Sequence, residues 1–157
     1  MPRIFLLTVG TPSDPAIAKA VREYVRRLKP PFGELTWTTV SEVGYRRSAA
    51  DVARRQEGER ILAKIPPRAF VVLLDVLGRQ WSTEELLVEV RHWRESGRPV
   101  VFVVGGSLGV DAAVKNRADA RWSLSRLTFP HALAQLLVAE QLYRLATIEA
   151  HHPYHKA

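Results

Sequence analysis

The sequence predicts an α/β domain with a mostly parallel sheet. Strand-like and helix-like segments alternate along the chain, which is typical of parallel sheets covered by helices. Two apolar runs, 70–74 and 100–104, contain no alternating polar residues, as expected for central strands covered on both faces. The chain has 157 residues, so we expect a single domain over residues 1–157.

Five strands and five helices are predicted in alternating order. The strands are apolar, β-branched runs, the last one weaker than the others, at residues 4–9, 35–40, 69–76, 100–104 and about 122–127. The helices are expected at about 15–29, 49–64, 83–95, 112–119 and 131–149. Three helices have start signals: Asp14 before Pro15, Asp111, and a capping box of Ser82 and Glu85.

Composition narrows the possible classes of function. The net charge is +7, which favours a polyanionic partner, although basic surfaces are common in small proteins. The chain has no cysteine, which excludes disulfides, thiolate nucleophiles and cysteine-bound zinc. No run approaches the ~20 apolar residues of a membrane span, and no signal peptide is recognisable. We therefore expect a cytoplasmic protein with no membrane association, and the histidines near the C-terminus lack the carboxylates of a metal site.

A ligand site is expected late in the chain. Ligands of open α/β sheets bind beyond the carboxyl ends of strands, where this chain has the segments 74–78, 105–109 and 124–131. The pair Gly105-Gly106 allows close approach of the backbone to a ligand, but a lone pair more often marks a tight turn. Asp75 could likewise be a catalytic acid or the cap of a turn. Neither a dinucleotide-binding fingerprint nor a P-loop occurs, so a cofactor would bind between residues 74 and 131.

The late part of the chain contains four characteristic strings: GGSLG at 105–109, WSLSRLTFPH at 122–131, EQLYR at 140–144 and HPYHK at 152–156. In these strings the chain resembles the ribosomal RNA large subunit methyltransferase H family of the SPOUT superfamily. The resemblance extends over the whole chain, and the string at 122–131 followed at the right distance by the terminal string at 152–156 makes it specific. Two positions depart from the family pattern. Ser107-Leu108 replaces Pro-Glu, which removes a possible acidic group, and Lys156 replaces Arg, which keeps the charge but loses a bidentate fork.

The resemblance implies a particular fold and reaction. The fold would be a SPOUT domain with a C-terminal trefoil knot, the knot and cofactor site spanning about 70–149 and a short tail spanning 150–157. The protein would be a homodimer that uses S-adenosylmethionine to methylate N3 of a pseudouridine in the helix 69 loop of 23S ribosomal RNA, within the assembled ribosome. Carried over by motif, the cofactor contacts are Leu74, Gly105, Leu124, Ser125, Arg126, Leu127, Thr128 and Phe129. The alternatives are a ribosome-binding factor without turnover and, less well supported, a flavodoxin-like nucleotide binder.

The C-terminal tail concentrates titratable groups. Chain ends usually tolerate change, so an aromatic residue and several cations there suggest a role in methyl transfer. We expect Tyr154 to stack on or orient the target base, His155 or His152 to take its proton, and Lys156 to pair with a phosphate. The alternative is a tail that only packs against the domain or closes over the cofactor.

RNA and subunit contacts are expected outside the cofactor pocket. Arg22, Arg26 and Lys29 are spaced four and three apart and would share one helix face. Arg46 and Arg47 follow the second strand, and an ordinary solvated surface would explain all of these cations equally well. The last helix is apolar nearly all round, which predicts burial on two sides. The second side would contact a partner chain or lie within the same subunit.

Overall fold

The computed structural model describes residues 3–29, 32–44 and 49–156. Ten elements alternate along the chain, in the order β1 Arg3–Val9, α1 Pro15–Arg27, β2 Glu34–Val40, α2 Ala50–Lys64, β3 Phe70–Arg79, α3 Thr83–Glu95, β4 Val100–Val104, α4 Ala112–Arg117, β5 Ala120–Trp122 and α5 His131–Glu149. All ten elements expected from the sequence are therefore present, with some boundaries changed.

The strands form one parallel sheet in the order β2-β1-β4-β3-β5. The central strand β4 is buried along its whole length and pairs with β1 on one side and β3 on the other. Val100, for example, lies opposite both Ile4 and Phe70. The expected α/β class with a parallel sheet is confirmed, and the uninterrupted apolar runs are indeed the two-sided central strands.

Two hydrophobic cores cover the two faces of the sheet. On one face, α1, α3 and α5 pack on side chains such as Leu6 and Phe102, while α2 and α4 pack on Leu7 and Val103 on the other. Trp93 of α3 contacts Phe70, Trp81 and Phe102, with ring centroids 5.2, 5.8 and 6.2 Å away. Each fully buried large apolar side chain contributes roughly 1.5–3 kcal/mol, so these layers supply most of the stabilisation.

The predicted helix starts are confirmed by capping geometry. The side chain of Asp14 accepts a hydrogen bond from the Ala16 amide at 2.8 Å, ahead of Pro15. Ser82 and Glu85 form a reciprocal capping box at the start of α3. At the start of α4, the Asp111 side chain accepts from the Val114 amide. Each cap satisfies amides that a helix end leaves without partners. 

Three predicted boundaries were wrong. The fifth strand ends at Trp122 instead of continuing to 127, because Ser123 and Ser125 bond to local backbone groups and fold the chain into a loop. Strand β3 instead extends to Arg79 through a register shift. Helix α1 ends at Arg27 because Leu28 is extended, so Lys29 does not share a helix face with the earlier cations.

Helix α5 has no fully exposed residue, which agrees with its apolar sequence. Within the subunit it contacts α1, α3 and β4. Burial on more than one side is thus confirmed, whereas a contact with a partner chain stays a prediction. Although α5 is the longest helix of the described residues, none of the helices there is long and apolar enough to cross a membrane.

An ion pair fixes the C-terminal end of α5. Glu149 accepts hydrogen bonds from Arg94 at 2.6 Å and Arg91 at 3.1 Å, both on α3. Arg94 also donates to the Phe32 carbonyl, and its guanidinium lies 4.2 Å from the centre of the Phe32 ring. Burial alone would raise the pKa of Glu149, but the hydrogen bonds from both arginines outweigh it and lower the pKa. The pair therefore joins α5, α3 and the segment before β2.

Replacing Glu149 by Gln should destabilise the protein at neutral pH by about 1.5–3 kcal/mol, the usual contribution of hydrogen bonds to charged groups. Because folding lowers the pKa of Glu149, its stabilisation is present above the unfolded value of about 4.3 and is lost as pH falls through the folded value. Chemical denaturation at several pH values should show the difference from wild type shrinking below about pH 4. Glu95→Gln, at an exposed position of α3, should have little effect at any pH. If E149Q were destabilised by the same amount in acid as at neutral pH, the assigned ion pair of Glu149 would be contradicted.

Candidate functional site

A cavity of about 500 Å³ opens at the carboxyl ends of β3 and β4, within the usual size range of small-molecule sites. Its wall comes from the end of β3, the loop after β4, the segment between β5 and α5, and the start of α5. The lining residues include Leu73, Leu74, Asp75, Val76, Val104, Gly105, Gly106, Leu108, Gly109, Val110, Trp122, Leu124, Ser125, Leu127, Thr128, Phe129, His131 and Ala134. The site therefore lies at the sheet edge where the sequence placed it.

Seven of the eight expected cofactor contacts line this cavity. They are Leu74, Gly105, Leu124, Ser125, Leu127, Thr128 and Phe129. Arg126 is the exception, since its side chain is exposed and is not among the residues of the wall. Three chain segments that are distant in sequence thus converge on one space.

The loop after β4 is a tight glycine turn that also forms cavity wall. A Cβ on Gly105 would lie 2.7 Å from Cγ1 of Val110, closer than real Cβ contacts allow. Gly109 has φ +76°, a conformation that favours glycine, and its amide donates to the Gly106 carbonyl at 3.0 Å. The tight turn is therefore confirmed at the glycine pair, whereas the close approach of its backbone to a ligand stays a prediction.

The segment between β5 and α5 is shaped by its serines. Ser123 donates its hydroxyl hydrogen bond to the Ser125 carbonyl at 2.9 Å, and the Ser125 hydroxyl accepts from the Leu127 amide at 3.0 Å. These local bonds turn the chain so that Leu124 and Phe129 both line the cavity. Leu127 also lines it and is 69% exposed, so an apolar side chain stands at the rim.

Four charged or titratable residues line the cavity: Arg54, Asp75, Lys115 and His131. Asp75 accepts from the Leu77 amide at 2.9 Å and lies 3.7 Å from the Arg121 guanidinium, so its turn-capping role is confirmed. His131 lies 4.0 Å from the carboxylate of Glu42. Sequence reasoning missed Arg54 and Lys115, because helices α2 and α4 carry no local signal that points to this site.

Arg54 connects α2 to the glycine turn. Its Nε donates to the Leu108 carbonyl at 3.2 Å, and its NH1 lies 3.1 Å from the Asp51 carboxylate. The guanidinium therefore holds one side of the loop that forms the cavity wall. 

The C-terminal tail is anchored to the body of its own subunit by Tyr154. The phenol of Tyr154 donates to Glu140 at 3.0 Å and lies 3.4 Å from the Tyr24 hydroxyl. The Arg144 guanidinium stands 4.8 Å from the centre of its ring, and Tyr143 packs edge-on against it. Burial, followed by the hydrogen bonds with Tyr24 and Glu140, raises the pKa of Tyr154. The phenol therefore keeps its proton at neutral pH and serves as a donor.

The other tail residues differ in how they are held. His155 contacts Glu84 at 2.9 Å through Nε2 and Arg144 at 3.1 Å through Nδ1, and the hydrogen bond from His155 lowers the pKa of Glu84. His152 is exposed and accepts from the Tyr154 amide through Nδ1, while Lys156 is exposed. None of the tail residues that the structure describes lines the cavity. The structure therefore does not bring the expected catalytic residues together with the expected cofactor contacts of the same subunit.

The cations expected to contact RNA are only partly described. Arg22 is exposed on α1, and Arg26 is exposed but bonded to Glu23 at 2.9 Å, which raises the pKa of Arg26. Arg46 and Arg47 lie outside the described residues. The structure thus places two of the proposed RNA contacts on one exposed helix surface.

Comparisons with known proteins agree with this arrangement. A family model described as "Predicted SPOUT methyltransferase" matches residues 2–155. A Pseudomonas fluorescens protein named ribosomal RNA large subunit methyltransferase H is 45% identical over 157 residues, covering 98% of this chain and 99% of the relative.

Two solved structures share the fold at low sequence identity. A Haemophilus influenzae protein described as a probable methylase has a TM-score of 0.58 at 14% identity, covering 99% of this chain and 71% of that one. A Legionella pneumophila protein, solved with the bound cofactor SAM, has a TM-score of 0.50 at 10% identity, covering 91% and 66% of the two chains. The full-length match at 45% identity confirms the resemblance seen in the motifs and removes the flavodoxin-like alternative. The chain belongs to the SPOUT methyltransferases and, within them, to the ribosomal RNA large subunit methyltransferase H family.

Proposed function

We propose that this single-domain methyltransferase uses S-adenosylmethionine to methylate N3 of a pseudouridine in the helix 69 loop of 23S ribosomal RNA, on assembled ribosomes in the cytoplasm. The observation that carries the proposal is the convergence of seven motif positions on one cavity in a chain of this family. The names of the relatives support ribosomal RNA as the substrate. The choice of nucleotide and atom rests on the motif resemblance.

The cavity suits S-adenosylmethionine. Apolar side chains such as Leu124 and Phe129 would pack against the adenine, while the backbone of Leu74 and Gly105 would contact polar atoms of the cofactor. Gly105 has no Cβ to fill the space of the turn, which keeps its backbone accessible. When bound, the cofactor supplies a methyl group activated by a sulfonium. The Legionella fold neighbour, which holds SAM, supports the same choice.

We further propose that the chain is knotted between residues 70 and 149. Strand β5 pairs outside β3, yet α5 returns across the sheet to pack beside α1. Where the segments meet, a Cβ on Gly78 would lie 2.7 Å from the backbone carbonyl carbon of Arg121. This contact belongs to the pairing of β3 with β5, and the knot itself is proposed from the motif resemblance.

The position of the tail supports a homodimer. Tyr154 and His155 are held by residues of α1, α3 and α5, and neither lines the cavity of their own subunit. We therefore propose that the tail of one subunit serves the cavity of its partner. Exposed apolar side chains beside the cavity support a covered surface there, namely Val76, Leu77 and Leu127.

The tail residues would then have distinct roles. N3 of the base must lose its proton as the N–CH₃ bond forms. Tyr154 keeps its proton, which it donates to Glu140 in the free protein, and would stack on the base or orient it. Both ring nitrogens of His155 are engaged by Glu84 and Arg144, whereas His152 is exposed and only its Nδ1 is engaged, by the Tyr154 amide. His152 would therefore take the proton after releasing that amide. Lys156 would pair with a phosphate.

One observation favours the alternative of a ribosome-binding factor without turnover. Leu108 lines the cavity at the position where many family members have Glu. The two functions are separated by incubating purified 70S ribosomes with methyl-labelled S-adenosylmethionine and locating the label by mass spectrometry of the helix 69 fragment. Labelling at N3 of one pseudouridine supports the proposal, and ribosome binding without labelling supports the alternative.

Gly105→Val should abolish cofactor binding measured by calorimetry. The added side chain would meet Val110 and displace the turn that forms the cavity wall. Gly44→Ala is a matched control, because a Cβ at Gly44 has no described neighbour within 4 Å. Circular dichroism should show that both variants are folded. Unchanged cofactor affinity in G105V would contradict the assignment of this wall.

Deleting residues 152–157, which removes His152 together with Tyr154 and Lys156, should lower the single-turnover methylation rate on ribosomes by at least about 10²-fold, the lower limit of typical proton-transfer contributions. Cofactor binding should persist, since no described tail residue lines the cavity. Light scattering should still give twice the mass of one chain. A truncated protein with the wild-type rate would remove the tail from the mechanism, and a monomeric wild type would rule out the dimer.

Arg22→Glu should weaken ribosome binding and reduce the dependence of affinity on salt. One lost phosphate contact on single-stranded RNA lowers the log–log salt slope by about 0.7. Lys64→Glu, an equal charge change on α2 at the opposite face of the sheet, should leave the slope unchanged. Equal slopes for wild type and R22E would assign Arg22 to the ordinary solvated surface.

A further inference from the structure

Helix α2 buries a carboxylate that none of the roles above uses. Glu57 is 3% exposed, and its Oε2 accepts a hydrogen bond from the Val43 amide at 2.9 Å. Its Oε1 is buried and has no hydrogen-bond partner among the described residues. A buried carboxylate oxygen without a partner is costly, so a positive charge nearby would be favourable.

Glu57 lies directly behind the wall of the cavity. A Cβ on Gly106 would be 3.4 Å from the free Oε1, and Gly106 itself lines the cavity. Because Gly106 has no side chain, the wall at this point is only one backbone layer thick. The Gly106 backbone therefore separates the carboxylate from the cavity.

The charged groups around Glu57 are already engaged with other partners. Arg54, one turn earlier on α2, bonds to Leu108 and Asp51, and Arg60 bonds to the Ser41 carbonyl. On the other side, Asp111 caps α4 next to Gly58 and adds a second negative charge. Among the described residues Glu57 therefore forms no ion pair, although the cations Arg54 and Lys115 also border the cavity.

We infer that Glu57 makes the cavity select the cationic form of its cofactor over the neutral product. This inference rests on the proposed cofactor. When the methyl group is transferred, the electron pair of the broken S–CH₃ bond stays on sulfur. The sulfonium of S-adenosylmethionine therefore becomes the neutral thioether of S-adenosylhomocysteine. The acceptor nitrogen forms the new N–CH₃ bond and gives up its proton. With the negative charge of Glu57 behind its wall, the cavity therefore binds S-adenosylmethionine more tightly than S-adenosylhomocysteine. The same charge favours release of S-adenosylhomocysteine after the reaction.

Glu57→Gln tests this inference by binding alone. Glutamine keeps the acceptor for Val43 but removes the charge. Calorimetry would measure three ligands: S-adenosylmethionine, S-adenosylhomocysteine and sinefungin, whose amine carries a positive charge in place of the methylsulfonium. A charge pair about 10 Å apart at an effective dielectric of about 20 changes affinity by about tenfold. E57Q should therefore lose about tenfold affinity for both cationic ligands and leave that for S-adenosylhomocysteine unchanged.

A control variant and the pattern of the three affinities distinguish an electrostatic role of Glu57 from a structural one. Glu59→Gln, an equal charge change at an exposed position of the same helix, should leave all three affinities unchanged. An equal loss for all three ligands in E57Q, or no loss, would show that Glu57 is only structural and would overturn the inference. Failure of the wild type to bind S-adenosylmethionine would instead overturn the proposed cofactor, and the inference with it.

Discussion

The structure depends on one constraint, the burial of β4 on both faces and its hydrogen bonding on both sides. A strand in this position has no polar side chain that could reach solvent, so helices must cover both of its faces. Because its neighbours run parallel to it, all the strands end at the same edge of the sheet. The loops that leave this edge are forced together, and the cavity forms between them.

Much of the fold was predictable because its signals are local. Asp14, Ser82 and Asp111 cap the helices that their sequence neighbours indicated, and the run 100–104 could only be a buried strand. The end of β5 was not predictable from apolar character, because the hydroxyls of Ser123 and Ser125 compete for the backbone that a strand would need. Strand order, too, depends on long-range pairing that no local pattern contains.

The same distinction applies to the site. Most of the cavity wall was predictable because its residues fall in short continuous strings that match a family motif. The contribution of α2 to the cavity and the fixed position of the tail could not be predicted, because both depend on contacts between residues far apart in the sequence. Arg54 reaches a carbonyl 54 positions later, and His155 reaches a carboxylate 71 positions earlier. Such pairs have no signature in either segment alone.

Helix α5 also fixes the distance between the cavity and the C-terminal tail of one subunit. Its first residue, His131, borders the cavity, and its last residue, Glu149, is pinned beside the start of the tail. From His131 to Glu140, which holds Tyr154 of the tail, the helix spans roughly 14 Å, and a helix packed on α1, α3 and β4 cannot shorten. The helix therefore keeps the cavity and the anchored tail of one subunit apart. In the proposed dimer, each active site would therefore need residues from both chains. Because dilution dissociates a dimer, turnover per chain would fall as the protein concentration is lowered.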